Sequence, residues 1–90
     1  MKKAIVTVVG KDTVGIIAAV TAKLAAYRIN ILDISQTILS GDFTMVMSVD
    51  LALCEASFAE VKGALAELGE SMGIRINMQR SDIFDAMHTI

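Results

Sequence analysis

Between Phe43 and Leu51 the chain alternates without a break. Phe43, Met45, Met47, Val49 and Leu51 fall on one side, and Thr44, Val46, Ser48 and Asp50 fall on the other. A period of two belongs to a β-strand with one face in a core and the other open. This constrains the fold strongly, because a half-covered strand calls for antiparallel neighbours and a covering layer on one face only. Ser40-Gly41-Asp42 just before it is a short turn, so Ile31 to Leu39 is expected to pair with it as a hairpin. In that preceding strand Asp33, Ser35 and Thr37 alternate with Leu32, Ile34, Gln36 and Ile38.

The remaining elements fall on either side of this hairpin. Residues 2–9 are rich in Val and Ile and alternate weakly, as a strand covered on one face and partly on the other would. Gly10-Lys11-Asp12-Thr13-Val14-Gly15-Ile16-Ile17 then joins this strand to a helical pattern. In that pattern Ile16, Ile17, Val20, Leu24 and Tyr27 recur at helical spacing, and alanines fill much of the rest. The alanines are expected to let the helix lie close against a sheet, and Arg28 suits the C-terminal end of its dipole. Ser57-Phe58-Ala59-Glu60 has capping-box spacing and opens a second helix carrying Phe58, Val61, Leu65, Leu68 and Met72, which Gly73 ends. Ile74 to Arg80 alternates strictly and reads as a fourth strand. Ser81 is placed to cap a short helix with Ile83, Phe84, Met87 and Ile90 on one side. Right-handed crossovers fold the order β-α-β-β-α-β into an α+β, ferredoxin-like sandwich. Its four-stranded antiparallel sheet carries both helices on one face, with the first and third strands central. Residues 1–90 are read as a single domain with an appendage at 82–90.

Composition narrows the function. Apolar residues make up 54% of the chain, more than one small core hides, so a homodimer or larger closed oligomer is expected. A net charge of −2 with mixed signs offers no basic footprint for nucleic acid and no polybasic face for a membrane. The single Cys54 fits a reducing cytoplasm and reads as an inert thiol. The apolar run after Met1-Lys2-Lys3 breaks at Gly10, too early for a signal peptide, and no stretch reaches membrane-spanning length. The chain is expected to be soluble and cytoplasmic.

Chemistry concentrates in the first loop. Asp12 or Thr13 can cap the helix that follows, and the free N–H groups of its first turn can receive an oxygen-bearing ligand. A capped strand-to-helix turn with no ligand explains the same residues equally well. The Gly10–Gly15 spacing opens like a phosphate P-loop, but Ile16-Ile17 stand where Lys-Ser/Thr is required, which excludes it. Asn30 offers an amide donor and acceptor to a ligand, or a left-handed turn after the helix. Met45, Met47, Met72, Met78 and Met87 read as core or interface filler. Asp82, Asp85 and His88 share a helix face only loosely, so no metal site is assigned. With one His and no Ser-His or Cys-His pairing indicated, no catalytic residues and no cofactor are assigned. Few aromatics and no basic excess exclude an RNA-reading sheet.

The element order and the first loop together resemble an ACT domain. Asp12-Thr13-Val14-Gly15-Ile16 occupies the loop that in the family commonly reads Asp-Arg/Lys-Pro-Gly-Ile/Leu, and Asn30-Ile31 matches the Asn-Ile pair that often follows the first helix. Val8 to Asp12, Asn30 to Gln36 and Ile83 to Met87 are similar to the small stand-alone ACT proteins of bacteria and archaea, and also to the ACT repeats of glycine-cleavage regulators. The resemblance implies ligand-responsive regulation, usually by an amino acid held between ACT units, with Asp12, Gly15, Ile16 and Asn30 as the matching binding candidates. Val14 departs from the family's proline, which loosens the turn. With no further domain expected, a signal would pass to a separate regulated protein. The alternative is a ligand-free interaction module that dimerises and serves such a partner.

Overall fold

The computed structural model describes residues 3–11 and 14–80, so Asp12, Thr13 and the expected tail helix after Ser81 lie outside the described residues. Six elements follow one another: β1 (Lys3–Lys11), α1 (Ile16–Ala26), β2 (Asn30–Leu39), β3 (Asp42–Asp50), α2 (Phe58–Met72) and β4 (Arg75–Arg80). The sheet order is β2-β3-β1-β4, with every neighbouring pair antiparallel. This is the expected ferredoxin-like sandwich with β1 and β3 central.

The alternation in β3 becomes a division between core and open face. Phe43, Met45, Met47 and Val49 are buried, and Thr44 and Val46 face out. Register carries that division across the sheet, since directly opposed residues share a face. Val6 pairs Met47 and Met78, and Val8 pairs Met45 and Ile76, so one face of three strands is continuously apolar. Ile16, Val20 and Leu24 of α1 and Val61 and Leu65 of α2 close over it. Each such side chain contributes about 1.5–3 kcal/mol by leaving water. The expected methionine filler is seen in Met45, Met47 and Met78, all fully buried.

α1 packs on the sheet through large residues that recur at helical spacing, as expected. The alanines do not face the strands: Ala18, Ala22, Ala25 and Ala26 are exposed, and the large residues spaced four apart make the contact.

Both helices end in the same hydrogen-bonded motif on different residues. After α2, Gly73 is left-handed (φ 71°), Ile74 N–H donates to Gly69 O at 2.8 Å and Gly73 N–H donates to Glu70 O at 3.3 Å. After α1, Arg28 takes the left-handed position (φ 60°), with Ile29 N–H donating to Leu24 O and Arg28 N–H to Ala25 O. The backbone bonds are those of a Schellman end in each case. Ser57 caps α2 as expected, accepting from Glu60 N–H at 3.1 Å.

Candidate functional site

The described part of the first loop presents backbone, not side chains. Gly15 is the N-cap of α1 in a left-handed conformation (φ 90°) and makes no side-chain cap bond. Asp12 and Thr13, the expected cap residues, lie outside the described residues. Gly15 takes the cap position because a left-handed cap leaves no room for an ordinary side chain's preferences. Its carbonyl accepts the first helical bond, from Ala19 N–H at 2.9 Å. The N–H groups of Ile16, Ile17 and Ala18 precede that bond, and a helix start leaves such groups open to an anionic ligand. Ile16 itself is buried, so it can contribute only through its backbone. Val14 is 99% exposed beside it, leaving the turn open to approach.

Asn30 lies elsewhere. It begins β2, is exposed, and pairs Asp50 in the ladder. The left-handed residue of that turn is Arg28, so the turn does not account for an asparagine at position 30. With Ile29 and Ile31 it meets Ala18, Thr21, Ala22 and Ala25 around a shallow open groove along the outer flank of α1. The exposed alanines leave room for this groove. Thr21 does not offer its hydroxyl to the groove freely, since it donates to Ile17 O at 2.8 Å.

Gly15 and Asn30 are separated by the length of α1. Its eleven residues span about 16 Å. β2 runs parallel to β1, so Asn30 stands in the row of Lys3 and Asp50 while the first loop leaves the opposite end, at Lys11. Within one chain the structure joins Gly15 to Ile16 and holds Asn30 apart from both. Asp12 lies outside the described residues. Cys54 is half-buried, with Sγ 3.7 Å from the Ala56 carbonyl. Among the described residues no three His, Cys, Asp or Glu side chains gather where they could hold a metal ion, and no helix is long and apolar enough to cross a membrane.

The described residues form a two-layer βαββαβ unit with a glycine-capped helix start, and the ACT-domain family model matches residues 2–79. The chain belongs to the ACT-domain family. A UPF0237 protein of Bifidobacterium longum is 52% identical over 90 residues, covering all of both chains. One from Methanococcus maripaludis is 46% identical over the same full lengths. An ACT domain protein from Streptococcus pneumoniae superposes with a TM-score of 0.83 at 38% identity, covering 99% of this chain and 97% of that one. A formyltetrahydrofolate deformylase from Pseudomonas syringae shares the fold at 22% identity and a TM-score of 0.82, but this chain covers only 28% of it.

Proposed function

We propose that this ACT domain is a regulatory sensor of a small metabolite, an amino acid by the chemistry of its candidate site, and that it works as a homo-oligomer without catalysing a reaction. The observation that carries this reading is the start of α1. The N–H groups of a first turn that begins at a left-handed glycine suit an α-carboxylate, and charge-assisted bonds of this kind supply the few kcal/mol that a micromolar-to-millimolar sensor needs. Asn30 adds an amide that makes no hydrogen bond among the described residues and can both donate and accept. Asp12 is the candidate partner of the ligand's ammonium group. Membership of the ACT family supports the reading, and the part of the deformylase that this chain matches is too small to bring an enzyme's activity with it.

A thermal-shift screen against the twenty amino acids tests this directly. Binding at a hundred times Kd stabilises by about 2.7 kcal/mol. On a domain this size each kcal/mol moves Tm by about 4–8 °C. One or a few amino acids are expected to raise Tm, and Asn30→Ala is expected to remove that rise while keeping the unliganded Tm. A screen flat across all twenty would sink the sensor reading and favour the ligand-free interaction module.

A further inference from the structure

We propose that the segment 81–90 returns across the end of its own sandwich and packs Ile83, Phe84 and Met87 on the apolar corner that Leu53 forms between β3 and α2.

The connection from β3 to α2 has the wrong composition for a solvated loop. From Leu51 to Phe58 six of eight residues are apolar, and only Glu55 and Ser57 are polar. Connections run over the surface and favour Gly, Asn, Asp, Ser and Pro. Part of the apolar excess is used inward, since Leu51, Cys54, Ala56 and Phe58 pack against the core. Ala52 and Leu53 are not used in this way. Ala52 is exposed, and Leu53 is 66% exposed.

Hydrogen bonds hold the two residues in that position. Cys54 N–H donates to Leu51 O at 3.0 Å, which makes Ala52 and Leu53 the corner residues of a tight turn. Ala52 N–H donates to Asp50 Oδ1 at 3.0 Å and ties the turn to the end of β3. The backbone thus presents a leucine to water at a corner where a small polar residue would serve the turn as well.

Leu53 also stands where β4 delivers the chain. The other exposed large apolar side chains lie on β2, on the open face of the sheet or around the start of α1. Arg80 opposes Ala4, and Lys3, one residue before it, opposes Asp50, so β3 and β4 finish at the same end of the sheet. Two strand spacings, about 10 Å, separate those ends. The last residue of β4 already meets the far end of the loop, with the Arg80 guanidinium 5.2 Å from the centre of the Phe58 ring.

The segment that follows has the length and the pattern to cover this corner. Three extended residues reach about 10 Å, enough to bring Ile83 and Phe84 from Arg80 to Leu53. Ile83, Phe84, Met87 and Ile90 recur at helical spacing, which predicts one apolar side, with Asp82 and Asp85 away from it. Those two carboxylates follow directly on a corner that carries Lys3 and Arg80, so charge also favours a return over this end. A tethered segment within reach meets Leu53 at an effective concentration that a separate partner has to match.

The test uses the full chain without added metabolite. An uncovered surface leucine changed to serine leaves Tm within error, whereas a covered one lowers it. Leu53→Ser and Phe84→Ser are each expected to lower Tm, and the double variant by less than their sum, because one contact is lost only once. In a Cys54→Ser background, Ala52→Cys with Ala86→Cys is expected to oxidise to a disulfide within one chain. Adding Leu53→Ser or Phe84→Ser is expected to slow that oxidation. A Phe84→Ser variant with unchanged Tm overturns the proposal, as does strict additivity of the two losses. A disulfide that forms between chains overturns it too, by showing that a second copy covers Leu53. So does a rate that neither serine alters, and the Phe84→Ser comparison stands even where Leu53→Ser does not fold.

Discussion

Arg28 sits in a conformation that costs an L-residue about 1–2 kcal/mol, yet it closes α1 with the bonds that Gly73 gives to α2. The side chain is exposed, so nothing in the packing demands arginine there. Glycine would relieve the strain but would also gain freedom in the unfolded chain. Arg28→Gly is therefore expected to raise stability by up to about 1 kcal/mol, read as a higher midpoint in urea; a clear loss would mean that the arginine side chain holds something in place. The position of this helix end is only loosely legible along the chain, because no glycine marks it. Asn30, two residues on, looked equally suited to the left-handed turn until the backbone assigned that role to Arg28.

At the scale of elements, α2 carries two glycines that composition cannot tell apart. A Cβ on Gly63 would meet nothing within 4 Å, whereas one on Gly69 would come within 2.8 Å of the Ile74 carbonyl and 3.1 Å of Ile76 N. Helix propensity favours alanine at both by about 1 kcal/mol. Gly63→Ala is expected to stabilise by up to that amount. Gly69→Ala is expected to destabilise by about 1–3 kcal/mol, because the chain must move away from the helix that it packs on. Thermal melts of the two variants check the contrast, and shifts of the same sign would refute it. Gly10 is under the same pressure from Ile74, whose Cγ2 would stand 2.6 Å from an added Cβ. The first loop's opening glycine is thus explained by packing between β1 and the start of β4, without recourse to a ligand.

For the whole molecule, the sheet divides space into a closed side and an open one. Val46 and Val9 lie on the open side at 41% and 43% exposure, as the amphipathic strands led one to expect. A surface position of this kind tolerates substitution within about 0.5 kcal/mol. Val46→Thr keeps the β-branched shape and is expected to leave Tm unchanged within error. A loss above about 1 kcal/mol would show that this face is covered in solution.

Strand alternation, helix spacing, the Ser57 cap and the Gly73 stop determined the element order and the buried face, because each is a local rule written in consecutive residues. The ferredoxin-like topology followed from that order and from crossover handedness. Two matters waited for the tertiary structure. The phase of β2 depends on a bulge that has no signature in its own alternation. The candidate site residues matched a family loop one by one, but only the parallel course of β1 and β2 shows that Gly15 and Asn30 leave opposite ends of one sheet. Sequence fixes what neighbours along the chain do; distance across the fold is set by how the strands pair.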